Sequence, residues 1–180
     1  MKKFELTTDS IKRNGVTLYR IKSLIDFEDV KAGDLGGYVE KEENLSQYGD
    51  AWAFDDAQVY GNACVYGNAR VCDDARVYGN SRVSGNAWAF DDAQVYGDAC
   101  VSDDACVSDD ADYIYLKGFG SHNRSTTMFR AKGGNICVSC GCFSGTLEEF
   151  ESKVKETHGS NKFAREYLAL VEAAKIHFEV

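Results

Sequence analysis

Three groups of side chains have residue types and spacings suited to chemistry. Four aspartate pairs, Asp55-Asp56, Asp73-Asp74, Asp91-Asp92 and Asp109-Asp110, recur every eighteen residues. Paired carboxylates offer the hard oxygens that a divalent cation such as Ca2+ takes, so this row is a candidate ladder of weak cation sites. Cys137-x2-Cys140-x-Cys142, followed by His158, supplies soft donors, with Cys140, Cys142 and His158 the candidate Zn2+ ligands. On an extended strand Cys140 and Cys142 share one side and Cys137 faces the other. Between the aspartates and the cysteines, Ser121, His122, Asn123, Arg124, Ser125, Thr126 and Thr127 pack donors and one guanidinium into a single short stretch. That composition suits phosphate or another anion. Each group also has a structural reading: hydrated turn aspartates, small buried cysteines and an ordinary polar loop. A thiol enzyme would need Cys140 or Cys142 beside His122 or His158, which no spacing specifies.

The elements that must position these residues are set by a repeat. AWAFDDAQVYG occupies residues 51–61 and returns unchanged at 87–97. From Ala51 the chain divides without a gap into hexads, AWAFDD, AQVYGN, ACVYGN, ARVCDD and so on, ending in a degenerate ADYIYL at Leu116. Each hexad opens on Ala or Ser, has Val or Ala two places later, and until the last closes on Gly-Asn, Gly-Asp or Asp-Asp. Alternation puts the first and third residues on one side of a short strand, and the closing pair supplies a turn. A chain that turns after every short strand must coil.

These hexads resemble the hexapeptide-repeat left-handed parallel β-helix. The resemblance implies a triangular turn of eighteen residues, a left-handed winding and an interior of small and aliphatic side chains. Upstream, GDLGGYVEKEENLSQYGDAW at 33–52 is similar to the lead-in of bacterial and prophage proteins of this kind. Asn14-Gly15 between alternating segments predicts a β-hairpin that caps the open end of the coil. Downstream, ADYIYL, TTMFRA and NICVSC predict strands, the last two joined by a tight turn at Gly133-Gly134. Thr146 and Glu149 form a capping box for a helix over 147–157, and a second helix is expected over 161–178. This C-terminal stretch, with its CGCF and GTLEEF motifs, resembles a small module of Firmicutes and prophage proteins. The expected organisation is mainly β: an N-terminal cap at 1–32, a left-handed β-helix at 33–116 and a C-terminal α+β module at 117–180.

An eighteen-residue turn stacks the outward residues in columns. Trp52, Arg70, Trp88 and Cys106 form one, with Phe54 and Phe90 beside it, and Arg70 is expected between the two indoles at strand spacings of about 4.8 Å. Tyr60, Tyr78 and Tyr96 form another. These aromatics either staple adjacent coils or present a flat belt to a partner. Ala53 and Ala89 stand where other coils have Val, which leaves the outward orientation of their neighbours open. The aspartate pairs stack along one edge, where like charges about 5 Å apart repel by roughly 1 kcal/mol in water-like surroundings. Turn-forming, cation binding and imitation of nucleic-acid phosphates all fit that edge.

Composition narrows the partners. A net charge of −9 argues against duplex nucleic acid, since phosphate binding is dominated by Lys and Arg. No run of eighteen apolar residues suggests a membrane span, and the N-terminus lacks a secretory apolar region, so a cytoplasmic protein with reduced cysteines is expected. Hexapeptide-repeat acyltransferases use a histidine on or beside the coil and coil-forming carbonic anhydrases use histidine ligands, whereas residues 39–116 hold none. Residues 45–116 contain no threonine, which excludes the ladders of ice-binding β-helices. The expectation is a non-enzymatic binding or scaffold protein, a dimer or trimer. Its resemblance to prophage proteins implies an inhibitor of host defence that binds a host protein or sequesters a nucleotide-like ligand. The alternative is an enzyme or zinc-binding module at the C-terminal end.

Overall fold

The computed structural model describes residues 2–180. The protein is a mainly β, parallel β-solenoid of about four turns, preceded by a hairpin and followed by an antiparallel sheet with two helices. Three strands come first: β1 (Phe4–Arg13), β2 (Val16–Ser23) and β3 (Leu35–Val39). Ten two-residue strands follow at six-residue intervals: β4 (Trp52–Ala53), β5 (Gln58–Val59), β6 (Cys64–Val65), β7 (Arg70–Val71), β8 (Arg76–Val77), β9 (Arg82–Val83), β10 (Trp88–Ala89), β11 (Gln94–Val95), β12 (Cys100–Val101) and β13 (Cys106–Val107). The C-terminal part comprises β14 (Tyr113–Phe119), β15 (Arg124–Arg130), β16 (Ile136–Cys140), β17 (Phe143–Thr146), α1 (Leu147–His158) and α2 (Lys162–Phe178). Among the described residues no helix is long and apolar enough to cross a membrane.

Three parallel walls enclose the coil interior, ordered β4-β7-β10-β13, β3-β5-β8-β11 and β6-β9-β12. The first and third residues of each hexad point inward, so Ala57, Val59, Ala69, Val71, Ala75 and Val77 are fully buried. Backbone amides bond to the next coil on every wall: Trp52 to Ala69 at 3.1 Å, Gln58 to Ala75 at 2.9 Å and Cys64 to Ser81 at 3.1 Å. Each coil therefore completes the hydrogen bonding of the one below it, and burying each Val contributes about 1.5–3 kcal/mol.

The turns explain why hexads close on either Gly or Asp. Gly61 and Gly79 sit at φ 71° and 78°, and Asp55, Asp73 and Asp91 take the same left-handed region at 48°, 57° and 51°. Asp tolerates that region better than most residues, which gives the first aspartate of these three pairs a backbone reason. The fourth pair departs from the series. Asp109 has φ −145° and its Oδ1 accepts from the Ala111 amide at 2.6 Å, opening a short 3-10 turn through which the chain leaves the coil. The pairs thus line three successive turns and the exit, rather than four equivalent coils.

At the N-terminal end, β1 and β2 form the expected hairpin, with Asn14 and Gly15 at φ 48° and 83°. The hairpin does more than close the end: β2 pairs antiparallel with β3, and β3 pairs parallel with β5, so the cap extends one wall of the coil. Gly36 and Gly37 permit this. A Cβ at Gly36 would lie 2.5 Å from the Ala53 carbonyl and 2.7 Å from Trp52 Cζ2, so only glycine lets β3 cross so closely. Phe4 and Phe27 then pack edge-on against Trp52, at centroid distances of 6.1 and 5.5 Å. Lys3 is buried beside them and donates to the carbonyls of Gly49 and Ala51 at 3.1 and 2.7 Å, satisfying groups that the open end would orphan.

At the C-terminal end, β14-β15-β16-β17 form an antiparallel sheet whose Phe129 is fully buried against the coil core. Tyr113–Leu116, in the degenerate hexad that is also a predicted strand, pair antiparallel with Thr126–Phe129 and so belong to this sheet. β17 and its tight connection to β16 had no sequence signal. The capping box is present, with Thr146 Oγ1 accepting from the Glu149 amide at 3.2 Å and Glu149 Oε2 accepting from the Thr146 amide at 2.8 Å. The module is fastened to the coil by Cys100 N donating to Thr127 Oγ1 at 3.0 Å, Lys132 N to the Asp104 carbonyl at 2.8 Å and Ser144 Oγ to Asp103 Oδ2 at 2.7 Å.

Candidate functional site

The aspartate edge is spread out and solvated. Asp55, Asp56, Asp73, Asp74, Asp91, Asp92, Asp109 and Asp110 are all exposed. Asp56 pairs with Arg20 at 2.9 Å, and Asp73 Oδ2 accepts from the Asp91 amide at 3.4 Å. Among the described residues no three His, Cys, Asp or Glu side chains gather in an arrangement that could hold a metal ion. The Ca2+ expectation for this edge and the Zn2+ expectation for Cys140, Cys142 and His158 both require such a gathering.

The aromatic columns have the expected register but not the expected exposure. Trp52, Arg70, Trp88 and Cys106 are direct neighbours across β4, β7, β10 and β13. Trp52 nevertheless has only 1% of its surface exposed, because the N-terminal cap covers it, whereas Trp88 is 46% exposed. Trp52 is therefore core, not interface. Arg70 lies over the rings of Phe54 at 5.5 Å and Trp88 at 5.3 Å, instead of between two indoles, and pairs with Glu28 at 2.7 Å and Asp29 at 3.0 Å. Phe90 is half-buried. Tyr60, Tyr78 and Tyr96 do stack, with centroids 5.2 and 5.6 Å apart, running from buried Tyr60 to exposed Tyr96. Burial, together with Asp73 and Asp55, pushes the thiol of Cys72, near Arg70, up to about 11, so it stays protonated.

Several of the chemistry-bearing residues converge in the C-terminal module. A cavity of about 360 Å3 opens between the β14–β15 turn, the β16–β17 turn and the two helices. Ser121, His122 and Arg124 line it from one side, Cys140 and Cys142 from the next turn, and Lys153, Thr157 and His158 from α1. Phe143, Phe150 and Tyr167 supply apolar walls, with Phe150 edge-on to Tyr167 at 5.4 Å. Close packing needs glycine at two places. A Cβ at Gly120 would meet the Tyr167 hydroxyl at 2.0 Å, and one at Gly141 would meet Arg124 Nη1 at 2.2 Å. Gly141 in the CGC motif thus lets Arg124 lie across the turn, where Nη1 reaches Cys142 Sγ at 4.0 Å.

The two cysteines of that motif differ in character. Cys140 is buried, accepting from the Thr126 hydroxyl at 3.2 Å and donating to the Tyr167 hydroxyl at 3.8 Å, which donates on to the Phe119 carbonyl at 3.5 Å. Burial and the neighbouring Cys140 push the Tyr167 hydroxyl up to about 12, so it acts as a fixed donor. Cys142 is exposed at the mouth. His158 stacks on Tyr167 at 6.0 Å and closes the last turn of α1.

Of the anion-loop residues, Ser121, His122 and Arg124 line the cavity, and Asn123 forms the turn at φ 48°. Thr126 and Thr127 do not belong to a loop. They lie buried in β15, with one hydroxyl spent on Cys140 and the other on Cys100. Sequence reasoning missed Lys153, Thr157, Phe143, Phe150 and Tyr167 as neighbours of that loop. Tyr167 falls within the expected second helix, whose sequence carries no sign of which strands it would meet.

Comparison with known proteins bears on the coil. The family model described as YdcK Beta solenoid repeat matches residues 57–73, 69–85, 75–89 and 93–111. A protein of Escherichia coli (strain K12), "Uncharacterized acetyltransferase YdcK", is 38% identical over 56 residues, which is 31% of this chain and 17% of that protein. The match thus covers under a fifth of that relative's length. Both findings agree with the geometry in making the chain a repeat β-solenoid protein, and the family matches end before the residues of the C-terminal cavity begin.

Proposed function

We propose that the protein is a non-enzymatic binding protein in which a left-handed hexapeptide coil carries a C-terminal module that captures a small, anionic, nucleotide-like ligand. The observation behind this reading is the cavity, where Arg124, Lys153, His122 and His158 surround walls made by Phe143, Phe150 and Tyr167. A planar ring packs well on aromatic walls, and a phosphate group pairs well with a guanidinium. The volume falls within the range of small-molecule sites. Sequestration by a prophage-encoded inhibitor of host defence is the biological role in keeping with the sequence resemblance. Trp88, with half-buried Phe90, is the proposed face for self-association into a dimer or trimer. The acetyltransferase in the name of the E. coli protein points to no residue of this coil, since residues 39–116 contain no histidine.

Native mass spectrometry of protein purified from cells tests this directly. The expected result is an adduct of nucleotide-like mass that Arg124→Gln removes and Trp88→Ala retains. An adduct lost only in Trp88→Ala would move binding to the coil. One observation favours a second reading, that of a thiol enzyme: exposed Cys142 shares the cavity with His122, His158 and Arg124. That reading predicts rapid iodoacetamide labelling of Cys142 at neutral pH, slowed in His122→Ala or His158→Ala; labelling no faster than a free thiol refutes it.

A further inference from the structure

We infer that the groove between coil and module is a second, phosphate-binding limb of the same site, in which Arg82 of the coil and Arg124 of the module hold an oligophosphate chain between them. This rests on the cavity reading above and deepens it by giving the ligand a chain of phosphates as well as a ring. The groove, about 690 Å3, is lined from the coil by Asn80 and Arg82 and from the module by Arg124, Ser125 and Ser139. Arg124 lines both the groove and the cavity, so the two spaces meet at one guanidinium.

Three of the eight arginines are held by carboxylates, and of the other five only Arg82 and Arg124 line this groove. Arg20 pairs with Asp9 and Asp56, Arg70 with Glu28 and Asp29, and Arg130 with Asp112. Among the described residues neither Arg82 nor Arg124 forms an ion pair, although the chain carries 29 acidic residues against 20 Lys and Arg. Two unpaired guanidiniums facing one groove in an acidic protein suit an anion that supplies the missing charge. The one carboxylate lining the groove, Asp98, does not oppose this. Its oxygens are taken up by Lys117, by Asn80 Nδ2 at 2.9 Å and by the Tyr115 hydroxyl at 3.2 Å, so its charge is already balanced. Hydroxyls of Ser125 and Ser139 are available to the remaining phosphate oxygens.

Two consequences follow. Affinity should rise with the number of phosphates, because each added phosphate brings negative charge for the Arg82 guanidinium to meet. The coil then contributes directly to recognition and is more than a support for the module.

Calorimetric titration with AMP, ADP, ATP and inorganic tripolyphosphate, on the wild type, Arg82→Gln and Arg124→Gln, tests both limbs. Arg82 is exposed on the coil, so its replacement should leave the melting temperature unchanged, and that is checked first. The expected result is tightening from AMP to ATP in the wild type. Arg82→Gln should weaken ATP and tripolyphosphate roughly tenfold, the loss of one charge-assisted contact, while AMP is unaffected. Arg124→Gln should weaken all four. Equal affinities for AMP and ATP, with no effect of Arg82→Gln, would overturn the groove and leave the cavity reading standing. Tripolyphosphate binding that depends on Arg82 with no added affinity from the nucleoside would keep the groove and overturn the cavity reading. If none of the four ligands binds the wild type, both are overturned.

Discussion

Residues 51–61 and 87–97 have one sequence and two environments. The register is shared, since Trp52 and Trp88 both neighbour Arg70, and the turns are shared, with Asp55 and Asp91 at φ 48° and 51°. The outward residues differ. Trp52 is 1% exposed and Trp88 46%, while Tyr60 is 9% and Tyr96 43%. The six-residue pattern decides which side chains face the coil axis and leaves open what covers those that face away. The cap of β1, β2 and β3, laid across the first coil by Gly36 and Gly37, makes an interior out of what is surface two turns later.

The largest expected effect follows from that cover. Trp52→Ala should cost about 3–5 kcal/mol, as for a fully buried large aromatic. Trp88→Ala should cost under about 1 kcal/mol, mostly from its contact with Arg70. Urea denaturation of the two variants measures both, and equal losses would contradict the burial assigned here.

The two ends of the coil should also separate by pH. Burial lowers the Lys3 ammonium to about 8, and an unfolded lysine titrates near 10.4. Between about pH 8 and 10.4 the unfolded chain therefore holds the extra proton, so stability should rise with pH across that window and the rise should vanish in Lys3→Met. At the other end, Lys117 and Asn80 hold the Asp98 carboxyl down to about 2. The unfolded state again binds the extra proton between about pH 4 and 2, so the Asp98 contribution is lost as pH falls through that range and is absent in Asp98→Asn. Urea midpoints at paired pH values read both windows.

Smaller effects sharpen the comparison further. Arg70→Gln should cost about 1 kcal/mol, because its carboxylate pairs are partly screened by solvent. Asp55→Ala and Asp91→Ala should each cost about 1 kcal/mol, since both residues adopt the left-handed backbone conformation whatever covers the neighbouring tryptophan. Asp→Gly at either position should be close to neutral by the same urea assay.

How far the sequence carried follows the same division. The strand positions, the inward Ala and Val, the Asn14-Gly15 hairpin and the two helices were all legible, because local periodicity and turn chemistry specify them. The 147–157 helix extends one residue further, to His158. Contacts between distant elements left no local signal. Lys3 reaching Ala51, Gly36 crossing over Trp52 and α1 bringing Lys153 and His158 to the Arg124 turn each join residues 16 to 48 positions apart. Thr126 and Thr127 were misread for the same reason: a polar run resembles a loop until β15 finds partners on both sides.

The central claim, that the C-terminal module binds an anionic ligand through Arg124, is tested most directly by titrating ATP into the wild type, Arg124→Gln and Trp88→Ala. The account predicts saturable one-to-one binding that is retained in Trp88→Ala and lost in Arg124→Gln. Unchanged affinity in Arg124→Gln, or no heat at millimolar ATP in the wild type, would contradict it.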